Sequence, residues 1–172
     1  DLGAGMQGFV VFENGVNTDT GTGAGNRKSV LGLSGSFGTV SLGNQQDPLS
    51  QVLENVLDAQ SDSVFSAVAG TQGASFYTVA NSVRYDTPNF DGFSAAVQVG
   101  LGEDKNTAIN PGRASRDTAL NVQYANGPLA LALAHGIAEN KVGPILPVGA
   151  TNNSVSETAL AGAYDFGAAK LN

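Results

Sequence analysis

Strict alternation of apolar residues with polar or small ones marks three segments of this chain as β-strands. In 93–101, one side of the segment carries Phe, Ala, Val and Leu, and the other carries Ser, Ala, Gln and Gly. The same period of two runs through 119–125 and 129–137, and it is the pattern of a strand whose two faces meet different surroundings. Weaker alternation adds five candidate strands, at 6–13, 27–34, 39–43, 81–86 and 158–166. The pattern therefore predicts an all-β chain of eight strands.

The connections between these strands alternate in length. Short connections fall at 34–38, 87–92, 125–128 and 165–168. Long connections fall at 14–26, 44–79, 102–116 and 139–156. A water-soluble sandwich has no reason to keep all its long loops on one side, whereas a membrane barrel has two rims that face different compartments. Short turns at one rim and longer loops at the other are typical of an antiparallel transmembrane β-barrel of the outer membrane.

The short connections carry turn-forming residues and aromatic neighbours. Asn126-Gly127 predicts a type I′ turn, in which both central residues need positive φ, and Asp91-Gly92 predicts a turn of the same kind. Six aromatic residues lie beside the short connections: Phe37, Phe90, Phe93, Tyr124, Tyr164 and Phe166. This placement favours a girdle of rings at a membrane interface. The alternative is a set of aromatic residues that cap the end of a sandwich core.

The connection 44–79 is too long for an ordinary loop and carries its own helix signal. Asp47 is a good N-cap residue, and Pro48 suits the first helical position because its missing N–H is not needed there. Apolar residues then recur at helical spacing, at Leu49, Val52, Leu53, Val56 and Leu57. We expect a short amphipathic helix that lays its apolar side against another part of the protein.

Composition narrows the protein class. Only 13% of the 172 residues are charged while 41% are hydrophobic, and a soluble domain usually has about 25% charged residues. The low charge and the 23 glycines fit a β-protein whose outer surface does not meet water, or a Gly-rich extracellular β-domain. The net charge of −7 argues against nucleic acid as a partner. The chain contains no apolar run of about 20 residues, so the sequence predicts no transmembrane helix.

The residue types needed for catalysis or metal binding are sparse. The chain has no cysteine and one histidine, His135, so Cys-ligated metal and multi-histidine sites are excluded. No Gly-x-Ser-x-Gly segment offers a nucleophile for His135. The glycines of 21–25 are separated from Lys28 by two further residues, which does not match a phosphate-binding loop. The sequence therefore predicts no enzyme activity, no cofactor and no metal.

Two stretches of the chain resemble the general porins of Gram-negative bacteria, and most closely their neisserial-like, proteobacterial branch. They are Phe-Gly-Thr-Val-Ser-Leu-Gly at 37–43 and Asn-Ser-Val-Arg-Tyr-Asp-Thr-Pro-Asn-Phe-Asp-Gly-Phe at 81–93, separated by the long loop. The opening Asp-Leu-Gly and the later Ala-Tyr-Asp-Phe-Gly at 163–167 are also similar to that family. The resemblance covers essentially the whole chain.

The resemblance implies a 16-stranded barrel that forms a homotrimer in the bacterial outer membrane, surrounded by lipid and lipopolysaccharide. Residues 1–172 would then be part of a single barrel domain, from about the third strand to the tenth. The opening turn residues and the incomplete last strand also predict an internal piece of a longer chain. The resemblance further implies that 44–79 is the external loop that folds inward and narrows the pore.

Charged residues of this loop and of the strands are the candidate site. The loop supplies acids, at Asp47, Glu54, Asp58 and Asp62, and the strands supply Arg27, Lys28 and Arg84. Alternation places Arg84 on the face opposite Val83 and Tyr85, and the resemblance implies that Arg27 points into the lumen. Opposed acids and bases across a constriction would create a transverse field that tunes ion selectivity. The alternative is a set of ordinary solvated loop charges.

The sequence thus predicts a general diffusion porin, a water-filled channel for ions and small hydrophilic solutes. A soluble or cell-surface β-sandwich that binds a ligand or partner is the alternative.

Overall fold

The computed structural model of the chain describes residues 2–57, 77–102, 114–139, 154–167 and 169–171. Within these ranges, nine strands form a single antiparallel sheet in which each strand pairs with the next one along the chain. The sheet is open, with its first and last strands at the edges. The strands are β1 Gln7–Val16, β2 Gly23–Gly35, β3 Gly38–Gln46, β4 Thr78–Asp86, β5 Phe93–Leu101, β6 Arg116–Asn126, β7 Leu129–Glu139, β8 Ser154–Asp165 and β9 Lys170–Leu171.

All eight predicted strands are confirmed, and the largest differences lie at the ends that face the long connections. The ladder between β1 and β2 continues to the pair Val16 and Gly23, although the sequence predicted a connection over 14–26. Backbone pairing holds these polar ends together without apolar alternation, so the side-chain pattern stops before the ladder does. The two-residue strand β9 lies where the sequence predicted an incomplete last strand.

The two faces of the sheet have opposite character. The face that we call the outer face carries large apolar side chains that remain exposed, among them Leu31, Leu42, Val97, Val122, Leu133 and Leu160. The opposite, inner face carries small and polar residues, among them Ser41, Ser82, Gln98, Ala119, Asn121 and Ala134. A soluble protein rarely exposes so broad an apolar surface. The outer face is therefore built to meet a medium other than water.

The turns at 91–92 and 127–128 differ in type. Asp91 and Gly92 both have positive φ, at 51° and 97°, and the flanking Phe90 and Phe93 exchange two backbone hydrogen bonds, which confirms the predicted I′ geometry. The prediction at Asn126-Gly127 is wrong in register. Asn126 pairs with Leu129, so the central residues are Gly127, with φ of 57°, and Pro128. Because proline cannot adopt positive φ, this turn is of the II′ kind.

Aromatic rings line the short-turn edge of the sheet, where the sequence predicted them. The rings of Phe93 and Tyr124 lie on neighbouring strands with centroids 4.5 Å apart. Those of Tyr164 and Phe166 are 4.6 Å apart. Such rings, which lie at one level along the border of the apolar outer face, are typical of an aromatic girdle at a membrane interface.

The segment after β3 turns back over the inner face. Helix α1 spans Pro48–Val52 and continues into a π-helical turn over Leu53–Leu57, so the predicted helix is confirmed over its first ten residues. Its apolar side packs on alanines of β7 and β8, including Ala132, Ala134 and Ala159. Small side chains on the inner face let the helix approach the sheet closely. No helix in the described part of the chain is long and apolar enough to cross a membrane.

Candidate functional site

Asp47 begins the inward segment by capping α1. Its Oδ1 accepts hydrogen bonds from the backbone N–H groups of Leu49 at 2.8 Å and Ser50 at 3.0 Å. Its Oδ2 accepts the Ser50 hydroxyl at 2.8 Å. The side chain is only 1% exposed, and this burial raises the pKa of Asp47 to about 6, against the lowering effect of the three hydrogen bonds and with a further increase from the nearby charge of Asp117. The carboxylate therefore holds the loop and does not face open space.

Asn121 on β6 ties the same segment to the sheet. Its Nδ2 donates to the Pro48 carbonyl at 2.9 Å, while its Oδ1 accepts from the Ala96 N–H at 3.1 Å. Gln98 is also buried on the inner face of β5. Both side chains lie on the inner face and are buried, and Asn121 is in direct contact with the start of the helix.

Arg84 on β4 anchors the beginning of the segment from the other side. Its Nε donates to both carboxylate oxygens of Asp86, at 3.0 and 2.8 Å. Its Nη1 donates to the Gln46 carbonyl at 2.9 Å, and its Nη2 donates to the Gln51 side chain at 2.6 Å. One guanidinium therefore links a strand carboxylate, the end of β3 and helix α1, with its planar array of donors.

Arg27 lies at an irregularity of the hairpin between β1 and β2. Glu13 pairs with Lys28 and Asn14 with Asn26, so Arg27 is the extra residue of a bulge. Its Nε lies 2.8 Å from the carboxylate of Glu13, and its Nη2 donates to the Tyr77 hydroxyl at 3.2 Å. A bulge interrupts the strict alternation of side chains between the two faces, so the consecutive residues Arg27 and Lys28 both reach the inner face.

Glu54 brings the negative charge of the π-helical turn to these bases. The Gln46 side-chain amide donates to its Oε2. Glu54, Glu13, Arg27 and Lys28 line one cleft of about 50 Å³, together with Gln46, Tyr77 and Thr78. Opposite charges from the loop and from β1–β2 therefore meet in one place.

A second, larger cleft of about 260 Å³ lies beside the first. It contains Arg84 and Asp86, and it shares Lys28 and Gln46 with the first cleft. The Lys28 ammonium makes no ion pair or hydrogen bond among the described residues, whereas the guanidinium groups of Arg27 and Arg84 are both paired.

The predicted site residues thus separate into three groups. The structure brings Glu54, Arg27 and Arg84 to two adjoining clefts on the inner face. Asp47 lies elsewhere, buried at the helix N-terminus, so its charge does not line these clefts. Asp58 and Asp62 fall outside the described residues.

Several lining residues escaped the sequence reasoning as site candidates, among them Glu13, Gln46, Gln51 and Asp86. Asp86 had a usable signal, since alternation places it on the same face as Arg84. Glu13 could have been found only from the hairpin register, which sets it opposite Lys28. Glutamines carry no charge, and nothing in the sequence distinguishes these two from surface residues.

His135, the single histidine, lies on the outer face of β7 and is bonded to the neighbouring strand. Its Nδ1 is 2.7 Å from the Thr158 hydroxyl. This position is remote from the two clefts, so the histidine takes no part in the candidate site.

An apolar outer face, a polar inner face and a helix laid over that inner face are the features by which porins are recognised. A family model described as Gram-negative porin matches residues 1–172. The chain belongs to the Gram-negative porin family. The resemblance drawn from the sequence is thereby confirmed, and the described strands are part of an outer-membrane β-barrel.

Individual relatives agree with this assignment. Outer membrane porin protein 32 of Delftia acidovorans is 34% identical over 182 aligned positions, covering 100% of this chain and 50% of the relative. Major outer membrane protein P.IA of Neisseria meningitidis serogroup C is 36% identical over 129 positions, covering 71% of this chain and 31% of the relative. The porin chain therefore spans about half the length of the first of these relatives, and less of the second.

Solved structures show the same fold. The anion-selective porin from Comamonas acidovorans superposes with a TM-score of 0.83 at 30% identity, covering 99% of this porin chain and 52% of the other. A loop-deletion form of OmpT from Vibrio cholerae superposes with a TM-score of 0.73 at 20% identity, a likeness of fold alone.

Proposed function

We propose that the complete protein forms a water-filled channel through which ions and small hydrophilic solutes diffuse across the outer membrane. The main observation in support of this function is that the sheet has an exposed apolar face and a polar face, with α1 packed against the polar face. An open sheet edge in hydrocarbon would leave unpaired backbone groups, each costing several kcal/mol, so such strands must close into a barrel. In a closed barrel the inner face becomes the wall of the pore.

The segment 44–79 would be the element that narrows this pore. The inward course of this segment supports the role, because α1 lies on the inner face of β6, β7 and β8 and is held there by Asn121 and Arg84. Glu54 from the loop and Arg27 and Lys28 from β2 would meet beside the solute path, and these opposed charges would set up a local field there. No group in this arrangement is posed for chemistry, and we expect no enzyme activity.

Selectivity would depend on which of these charges stay accessible. Both arginines are paired with carboxylates, at 2.8 Å for Arg27 with Glu13 and 2.5 Å for Arg84 with Asp86. Lys28 is left as the cation without a paired acid in the described clefts. This fits the anion-selective description of the Comamonas relative, and we expect Lys28 to favour anions while Glu54 opposes them.

The assembly proposed for the complete protein is a homotrimer in contact with outer-membrane lipid and lipopolysaccharide. The broad apolar outer face supports contact with lipid. Family membership supports the trimer, and closed symmetry is usual for homo-oligomers.

Planar bilayer recording of the full-length protein tests the function directly. Stepwise, voltage-independent conductance increments that scale with bulk electrolyte conductivity are expected from a water-filled pore. Protein that stays monodisperse without detergent and gives no conductance would disprove the channel and favour the soluble sandwich.

A further inference from the structure

The larger inner cleft has an apolar floor that the water-filled pore does not explain. The floor consists of Phe9 and Val11 on β1 and Val30 on β2. Val11 and Val30 are directly paired across the two strands. Phe9 lies two residues before Val11, so the three side chains share one face and form a continuous strip. The walls of porin channels are normally polar.

The strip is flat because a glycine lies beneath the ring. Phe9 pairs with Gly32, and its ring atoms occupy the space that a Cβ at position 32 would need. Any larger residue at position 32 would displace the ring. The sequence thus permits the ring to lie against the wall instead of projecting across the cleft.

The other large apolar groups of the inner face are covered. Leu49, Val52, Leu53 and Val56 pack on the alanines of β7 and β8, so the helix hides its own apolar side. The strip of Phe9, Val11 and Val30 faces the cleft and not the helix. Within the described residues, Val30 is only 6% exposed, so the accessible apolar surface of the strip comes from Phe9 and Val11.

A single unpaired charge adjoins this strip. Lys28 precedes Val30 by two residues on the same face and lines the cleft. The other charged lining residues, Arg84 and Asp86, neutralise each other in an ion pair. Thr39 and Ser41 on β3 and Gln51 on α1 add hydroxyl and amide groups to the lining. The cleft therefore offers an apolar floor, one ammonium group and neutral hydrogen-bonding partners.

We propose that this cleft is a subsite for small organic anions with a flat apolar body, such as aromatic monocarboxylates. The carboxylate would be bound by Lys28, and the ring would lie over Phe9 and Val11. The volume of about 260 Å³ is slightly below the range of drug-sized pockets, which suits a molecule of one ring. This inference rests on the proposed channel function and names a solute class for it.

Benzoate and acetate are the probes, because they share the carboxylate and differ in the apolar body. Chloride conductance of the full-length protein is recorded in planar bilayers with increasing concentrations of either acid. We expect benzoate to reduce the current with an affinity about tenfold higher than that of acetate, the factor that burial of part of a ring supplies. Binding of 4-fluorobenzoate to the detergent-solubilised protein is measured in parallel by fluorine NMR.

Two pairs of variants separate the contributions. Phe9→Ser should weaken benzoate binding about fivefold to tenfold and leave acetate unchanged, while the matched control Phe12→Ser removes a ring from the outer face of the same strand. Lys28→Gln should weaken both acids, while Arg116→Gln removes a cation from the outer face. All variants are first checked for the heat-dependent mobility of a folded barrel in SDS.

The outcomes distinguish this subsite from the channel itself. Normal conductance with equal effects of benzoate and acetate, or with Phe9→Ser unchanged from wild type, overturns the subsite and leaves the channel intact. Absence of conductance together with retained, Phe9-dependent fluorobenzoate binding overturns the channel and supports the site. Loss of both readouts in the folded wild-type protein overturns both.

Discussion

Replacing Asp47 by Asn should strengthen the docking of the inward loop at neutral pH. The amide keeps an oxygen for the Leu49 and Ser50 N–H groups, and Asn caps helices as well as Asp. The Ser50 hydroxyl, which now donates to Oδ2, can rotate and accept from the new NH₂ group. What the substitution removes is the buried negative charge.

The magnitude follows from the pKa of Asp47, which burial raises from 3.8 to about 6. The docked carboxyl holds its proton more tightly than a solvated one, so docking weakens as pH rises between these two values. Below 3.8 the penalty is absent, and above about 6 it is fully present. A shift of about two units corresponds to about 3 kcal/mol. Between about pH 4.5 and pH 7.5, docking should lose about 2 kcal/mol, or about thirtyfold in local protection.

Hydrogen exchange of the peptide covering 47–57, measured by mass spectrometry, reports this docking in the full-length protein. After correction for the intrinsic pH dependence of exchange, wild-type protection should fall between the two pH values, while that of Asp47→Asn should stay constant. Asp47→Ala should be less protected than Asp47→Asn at both, because three donors lose their acceptor. Equal pH profiles for wild type and Asp47→Asn would refute the buried-charge argument.

Three further outcomes are expected. Lys28→Gln should move the reversal potential in a salt gradient toward cation preference, and Glu54→Gln should move it toward anion preference; shifts of the same sign would contradict the opposed-charge arrangement. Asn121→Ala should destabilise loop docking by about 2 kcal/mol, since the buried Pro48 carbonyl loses its donor, and exchange of the loop peptide measures this. Gly92→Ala should lower the yield of refolded barrel more than Gly127→Ala. A Cβ at position 92 would lie 2.6 Å from a backbone oxygen, whereas one at position 127 meets nothing within 4 Å. Equal yields would show that the positive φ at both positions, and not the close contact at position 92, sets the cost of the substitution.

Much of the fold could be predicted because each relevant signal is local. Alternation at 93–101 and 129–137 requires only neighbouring residues, and so does the Asp47-Pro48 helix start. The turn at 127–128 was misplaced by one residue because the register of a hairpin depends on which residues pair across it. Extensions of β1 and β2 were missed because the ladder there is held by backbone pairing and shows no apolar pattern.

The site was less predictable than the fold. Loop position and charge indicated Glu54, alternation indicated Arg84 and the family resemblance indicated Arg27. Their partners, however, are set by strand pairing and by the bulge at Arg27. Asp47 shows the limit most clearly. Its sequence position supports either a cap or a pore charge, and only its burial beneath α1 decides for the cap.

Local patterns were enough to predict the strands, the two unlike faces and the order of short and long connections, because alternation, turn residues and spacing are properties of adjacent positions. The resemblance of two stretches to known porins indicated the family. Which charges meet, which are neutralised and which stay exposed became known only from the folded chain. Glu13 and Arg27, or Gln46 and Glu54, come together only when the strands pair and the helix folds back over the sheet. Electrostatic effects depend on distances and burial across the chain, and these do not exist until the chain is folded.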